Sequence, residues 1–229
     1  MKPPRSHRPP PPEPARPLKA AQKVAATAAQ EVRIIGGRWK RTPLTVPTLS
    51  GLRPTPSRVR ETLFNWLGQD LSAWRVLDAF AGSGALGFEA ASRGAQSVCM
   101  IEREPTLVKS LRAMQVKLSA TEVQVVQADA LVWMQRLGTS EPGFDLILLD
   151  PPFDDDLSMK ALTAASPCVP VGGWIYLESP EPFGEVAADA AGVLPGLRIY
   201  RQGRAGAVHY HLFQRVDGLA GVSLPTAGD

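Results

Sequence analysis

The stretch ILLDPPFDDD, Ile147–Asp156, sets a carboxylate, two prolines and an aromatic ring at the end of an apolar run. A short apolar run of this kind is a buried strand, so Asp150 falls at its carboxyl end. Pro151 and Pro152 lack N–H groups and hold φ fixed, which allows the Pro151 carbonyl to be held facing a site. Asp150 offers a second acceptor and Phe153 offers a face. Two acceptors and a ring suit a planar base that bears an exocyclic NH₂ group. An aryl amine is a weak nucleophile because its lone pair is delocalised into the ring. Acceptors on its two hydrogens orient the group and favour electron density on nitrogen, so positioning and electrostatics carry the chemistry. Asp150, with an ordinary pKa of about 3.9, needs no strong basicity for this.

A second constellation lies upstream in LDAFAGSGALGFEA. Gly82, Gly84 and Gly87 satisfy G-x-G-x-x-G, and Glu102 follows twenty residues after Gly82. This is the dinucleotide fingerprint, so an NAD-dependent enzyme is one reading. Asp78 precedes the glycines at the strand's end and would repel a pyrophosphate on the helix N-terminus. A ligand with an ammonium and a sulfonium group would be attracted instead. Asp129, in QADA, puts another acid at the end of the following strand, either as a hydrogen-bond acceptor for an adenine amino group or as a helix N-cap. Acids at three successive strand ends suit S-adenosylmethionine better than NAD.

The elements that must position these groups alternate from Ala73 onward. Strands are expected at RVLDAF, SVCMIE, EVQVV, FDLILLD and GWIYLE. Helices are expected over Ala85–Arg93, Glu104–Lys117, Asp129–Leu137 and Leu157–Ala165. LRIYRQGRAGAVHYHLFQR reads as two strands around a turn at Gly203–Gly206. The expected fold is α/β, a Rossmann-like, mostly parallel seven-stranded sheet with an antiparallel C-terminal strand. VRIIGGRWKRTPLTVP reads as a strand, a Gly36-Gly37 turn and a second strand. A helix follows, starting near Pro56 and Ser57, with Val59, Leu63, Phe64, Trp66 and Leu67 on its apolar face.

Of the 229 residues, the first sixty hold 13 Lys/Arg against Glu13 and Glu31, a balance of +11; the rest hold 12 basic and 20 acidic residues, a balance of −8. A basic head on an acidic body points to a polyanionic partner. Arg33, Arg38, Lys40, Arg41 and Arg53 are candidate RNA contacts, with Trp39 at the hairpin tip as a stacking platform. Arg58 and Arg60 lie near a helix N-terminus, where the dipole disfavours cations, so an anion is expected nearby. Residues 1–31, with eight prolines before residue 18, are expected to be a disordered basic extension rather than a transit peptide. The expected organisation is then an RNA-contacting hairpin and helix over 32–72, a catalytic domain over 73–217 and a flexible tail over 218–229.

No run of 18 apolar residues is present, and Cys99 and Cys168 have no metal-like or redox-like spacing. A cytoplasmic protein without membrane association is expected. No Ser or Cys nucleophile sits in a matching motif, and His209 and His211 share one strand face as packing or surface residues. Asp154–Asp156 is expected to cap the helix at Leu157 rather than bind a metal.

DPPF matches the [D/N/S]-P-P-[Y/F/W] motif of amino-methyltransferases. Together with RIIGGRWKRTPLTVP, LRPTPSRVRETLFNWL, VLDAFAGSGALGFEAASRGA, IER, YLES and AGAVHYHLFQR, it resembles the bacterial RsmD family over roughly Val32–Arg215. The resemblance implies a monomeric class I methyltransferase that uses S-adenosylmethionine to methylate a guanine N2 of 16S rRNA within the 30S subunit or its assembly intermediate. It implies that Asp78, Phe80, Ala81, Gly82, Ser83 and Gly84 hold the methionine part. Glu102 and Arg103 would take the ribose, and Asp129 and Ala130 the adenine end. Asp150, Pro151, Pro152 and Phe153 would take the guanine. A DNA adenine-N6 or protein glutamine methyltransferase is a rival within the class, and a non-catalytic RNA-binding assembly factor a rival outside it.

Overall fold

A computed structural model of the chain describes residues 32–45, 47, 55–137, 143–152, 156–183 and 195–217. The expectations for Arg53, Phe153, Asp154, Asp155 and both tails lie outside the described residues.

Seven strands form the main sheet: β3 (Arg75–Asp78), β4 (Ser97–Glu102), β5 (Val123–Gln127), β6 (Leu146–Leu149), β7 (Trp174–Ser179), β8 (Leu197–Ala205) and β9 (Val208–Arg215). Their order is β5-β4-β3-β6-β7-β9-β8, parallel as far as β7, with β9 antiparallel to both β7 and β8. The order reverses between β3 and β6, so a crevice opens outside the carboxyl ends of those two strands. All four residues of β6, Leu-Ile-Leu-Leu, are buried because helices cover both faces of the sheet.

Five helices supply that cover: α1 (Ser57–Leu67), α2 (Ala85–Ser92), α3 (Pro105–Lys117), α4 (Ala130–Leu137) and α5 (Leu157–Ala165). Helices α1, α2 and α3 share one apolar cluster with Val76, Leu148 and Tyr176, while α4 and α5 share the other with Leu77, Ile147 and Leu177. The alternation along β3, β6 and β7 therefore sends Asp78, Asp150 and Glu178 toward the first face by period two. Local chemistry sets the helix ends. Pro105 stands at the first turn of α3, and the Glu104 side chain accepts from the Thr106 N–H. Gly68, at φ 95°, closes α1 in the left-handed region. Asp156 occupies the N-cap of α5 but makes no side-chain cap hydrogen bond.

Two turns differ from expectation. In the small N-terminal sheet, β1 (Val32–Arg33) pairs with β2 (Pro43–Leu44), and the connection runs through all of residues 34–42. Gly36 and Gly37 are not its tip. They lie against the end of α2, where a Cβ on Gly37 would collide with the Ser92 carbonyl. The C-terminal hairpin turns at Gly206-Ala207, with Gly203 inside β8. A Cβ on Gly203 would lie 2.5 Å from the Tyr210 ring, so the glycine makes room for that side chain.

The N-terminal segment is tied to α2 by Ser92, which bonds Trp39 N and the Gly36 carbonyl, and by one buried carboxylate. Glu89 of α2 is fully buried, and its oxygens accept the Ile35 and Gly36 N–H groups at 2.7 Å each. Arg60 of α1, 2% exposed, reaches Glu89 at 3.3 Å, and Arg93 reaches it at 2.8 Å. Val32, Ile34 and Leu44 pack into the same cluster as α1 and the main sheet. Removing the carboxylate strands two buried guanidinium groups, so Glu89→Ala should destabilise the chain by about 3–5 kcal/mol. Urea unfolding monitored by circular dichroism checks this, and a loss under 1 kcal/mol would show that the triad has little structural weight.

Candidate active site

A cavity of about 800 Å³ opens at the switch point, at the upper end of the ~300–1,000 Å³ common for ligand pockets. Among the residues anticipated from sequence, Asp78, Phe80, Ala81, Gly82, Ser83, Glu102, Arg103, Asp129, Ala130, Asp150, Pro151 and Pro152 line it. Gly84 does not. It caps α2 at φ 77°, and a Cβ there would lie 2.6 Å from the Phe88 ring, so its role is packing.

The acids at the strand ends are already engaged. One Asp78 oxygen accepts the Gly87 N–H at 2.9 Å. Glu102 accepts from Gly82 N at 2.9 Å and from Glu104 N at 2.8 Å. Asp129 precedes α4 and accepts from Val132 N at 3.0 Å, so it is an N-cap that also faces the cavity. The Gly82 and Gly87 N–H groups that a pyrophosphate would need are thus taken by the chain's own carboxylates, which removes the basis for the NAD reading. The same carboxylates, as acceptors, fit a ligand that is cationic at one end and carries hydroxyl and amino groups along its length.

Asp150 stands where β6 ends, and Leu149 pairs with Leu177 in register, so Asp150 and Glu178 lie side by side on neighbouring strands. Thr55 Oγ1 donates to Asp150 Oδ2 at 2.9 Å. The Tyr176 hydroxyl donates to Glu178 Oε1 at 2.9 Å. Thr55 and Glu178 also line the cavity, and neither was singled out from sequence. For Glu178 a signal existed: an acid inside the apolar run WIYLES, 3% exposed in the fold. Thr55 carried none, since its partner is 95 residues away.

Burial raises the carboxyls above their ordinary range. Asp78, 1% exposed, is pushed up to about 7 by burial, with Asp150 and Glu102 adding to the shift and the Gly87 N–H opposing it. Asp150 is raised by burial against the Thr55 hydrogen bond, and Glu178 is raised by burial and by the Asp150 charge. Each carboxyl of this neighbouring pair thus holds its proton to higher pH than an exposed acid would.

The basic residues separate into two groups. Arg33, Arg38, Lys40, Arg41 and Arg58 are exposed. Arg60 is not available to RNA: the anion expected beside this helix N-terminus is the chain's own Glu89. Trp39 is half-buried against the core, with the Arg38 guanidinium 4.0 Å above its ring, so it is not an open stacking platform. Arg38 also pairs with Glu122. His211 is buried, accepts the Phe183 N–H at Nε2, and is pulled down to about 4 by desolvation, in keeping with a packing role.

The sheet order, the glycine loop and the acids at the strand ends define a class I methyltransferase. A family described as Conserved hypothetical protein 95 matches residues 32–214, and the chain belongs to this family, the RsmD family. Ribosomal RNA small subunit methyltransferase D of Escherichia coli K12 is 37% identical over 191 residues, spanning 81% of this chain and 90% of the relative. The protein of the same name from Haemophilus influenzae is 41% identical over 138 residues, spanning 59% of this chain and 71% of the relative. A solved Escherichia coli structure, yhhF, assigned provisionally as a methyltransferase, superposes with a TM-score of 0.67 at 32% identity, covering 81% of this chain and 98% of that one.

Asp78 has more affinity for a proton in the fold than in the unfolded chain. The folded state therefore binds the extra proton between the ordinary carboxyl pKa near 4 and about 7, and its contribution to stability is lost as pH rises through that window. Asp78→Asn, whose amide oxygen can still accept from Gly87, should flatten this dependence and be the more stable form at pH 8, by up to a few kcal/mol. Urea titrations at pH 5 and pH 8 decide it; parallel pH profiles for both proteins would show that Asp78 is not raised.

Proposed function

We propose that the chain transfers a methyl group from S-adenosylmethionine to the exocyclic N2 of a guanine in 16S rRNA, acting as a cytoplasmic monomer on the 30S subunit or its late assembly intermediate. The observation that carries the proposal is the placement of Asp150 and Pro151 in one cavity with Glu102 and Asp129. Acceptor groups for an amine and acceptor groups for an adenosine meet across the switch point. Kinship supports the RNA substrate: the relatives named above are small-subunit rRNA methyltransferases.

S-adenosylmethionine supplies an electrophilic methyl on a sulfonium. The chain supplies the geometry around it. Glu102 has the remaining lone pairs to accept ribose hydroxyls, and Asp129 the adenine amino group. Asp78 sets negative charge beside the ammonium end. Asp150 and the Pro151 carbonyl accept the two amine hydrogens and hold the nitrogen lone pair toward the methyl. When the nitrogen becomes cationic, Asp150 is the adjacent base that takes the released proton, and the nitrogen returns to neutral. Phe153 of the DPPF motif would cover the face of the base. Arg33, Arg38, Lys40 and Arg41 would hold phosphates and set the salt dependence of particle binding without entering the chemistry.

Methylation of 30S particles and of free 16S rRNA with labelled cofactor, followed by mass spectrometry of the nucleosides, tests the reaction. N2-methylguanosine is expected; methylated adenosine, or no RNA product from either substrate, would overturn the proposal. Asp150→Ala should leave cofactor affinity within about twofold and cut the single-turnover rate by at least ~100-fold, the scale of one preorganised electrostatic contact. Asp150→Asn should lose less, since its amide oxygen still accepts one hydrogen bond. Glu102→Ala should weaken cofactor binding by about 1–3 kcal/mol in calorimetry, and unchanged affinity would remove Glu102 from the cofactor site.

A further inference from the structure

Thr55 stands between two parts of the molecule that the proposed function treats separately. On one side its hydroxyl donates to Asp150 at 2.9 Å and also meets the neighbouring Glu178. On the other side its carbonyl accepts Arg60 Nε at 3.3 Å. Arg60 is itself held twice more, by Glu89 at 3.3 Å and by the Arg33 carbonyl of β1 at 3.0 Å. Glu89 in turn holds Ile35 and Gly36 at 2.7 Å each. A continuous set of hydrogen bonds thus runs from the basic N-terminal segment, through a buried guanidinium, to the carboxylate at the acceptor end of the cavity. Thr55 is only 5% exposed, so this hydroxyl is a fixed part of the site wall.

A carboxylate at a strand end has two free torsions and would sample several rotamers without a partner. Asp78 from β3 and Glu178 from β7 are the acids on the strands either side of Asp150, and the Tyr176 hydroxyl of β7 is given to Glu178. None of them donates a charge-stabilising hydrogen bond to it. Thr55, from the segment leading into α1, does. Threonine suits the place because its β-branch restricts χ1 while the hydroxyl keeps a donor.

We propose that Thr55 is a positioning residue for methyl transfer: held from behind by Arg60 and Glu89, it fixes the Asp150 carboxylate in the orientation that meets the acceptor amine, and so joins seating of the N-terminal segment to alignment of the catalytic acid. This rests on Asp150 being the acceptor group of the proposed reaction. Thr55 itself touches neither cofactor nor base in this role. Its hydrogen bond favours the ionised form of Asp150, so removing it moves the Asp150 titration to higher pH.

The test uses the full chain with Thr55→Val, which keeps the shape and loses the donor, Thr55→Ala as a smaller control, and Thr55→Ser, which restores the hydroxyl. The first readout needs no substrate. The titration of Asp150 is followed by ¹³C NMR of aspartate-labelled protein, with the resonance assigned by its loss in Asp150→Asn. The midpoint should rise in Thr55→Val and Thr55→Ala and return in Thr55→Ser. The second readout is the single-turnover rate on 30S particles against pH. Thr55→Val should be slower by roughly 10-fold or more at neutral pH, the scale of one hydrogen bond to a charged group. Its rising limb should be displaced to higher pH, and Thr55→Ser should recover most of the rate with cofactor affinity unchanged. An unmoved titration in both donor-less variants overturns the contact whatever the substrate proves to be. A moved titration with a wild-type rate and limb overturns the positioning role. Absence of RNA methylation by the wild-type chain would defeat the proposed function and, with it, the catalytic half of this proposal, leaving the NMR arm to decide the contact.

Discussion

Glu89 is the charge on which the placement of the N-terminal segment depends. It lies at the centre of α2, a helix buried on all sides, where an ionised carboxylate is tolerated only if its lone pairs are filled. Two backbone N–H groups and two arginines fill them. Replacing such an ion cluster with apolar residues is often neutral for stability, so energy alone does not explain it. What apolar packing cannot supply is direction. The strands β1 and β2 are two residues long and offer few ladder bonds of their own. Glu89 adds to the bonds by which Arg60 and Ser92 set how the segment meets α1 and α2.

The second constraint is the row of carboxyls at the carboxyl ends of β3, β6 and β7. Parallel register brings Asp78, Asp150 and Glu178 onto one face of three adjacent strands. Burial is the larger cause of their raised pKa values, and the charge of a neighbouring acid adds to it for Asp78 and Glu178. A site of this kind has little affinity for a phosphate. It favours ligands that bring positive charge or donor hydrogens, and an ammonium, a sulfonium and an amine about to become cationic are such groups.

The main sheet was legible because its parallel strands are short, largely apolar blocks that end near glycine or acidic residues, and Glu104 and Asp129 cap the helices after β4 and β5. The helix over Leu157–Ala165 and the glycine loop came out where the pattern put them. The N-terminal hairpin was legible only as a region. Its glycines resemble a turn signal, but their requirement is a close approach to Ser92 and Arg93, contacts more than fifty residues distant in sequence. Arg60 was misread for the same reason: a cation at a helix N-terminus points to an anion, and sequence gives no means of knowing that Glu89 is that anion. Gly203 looked like a turn because nothing local records the Tyr210 ring across the strand pair. Local chemistry was readable, and pairings across the fold were not.

The carboxyl row also bears on how the site exchanges ligands. Asp78 is held at 2.9 Å by Gly87, a position where a Cβ would press on that same carboxylate oxygen, so the acid cannot turn away to solvent to relieve its burial. It relieves the burial by taking up a proton, with a pKa of about 7. A cation bound beside it favours the ionised form, and the proton must then leave. A ligand of the same shape without the positive charge gains nothing from that ionisation. The row therefore discriminates by charge, and more strongly as pH rises, because above the Asp78 pKa the carboxylate is ionised before the ligand arrives.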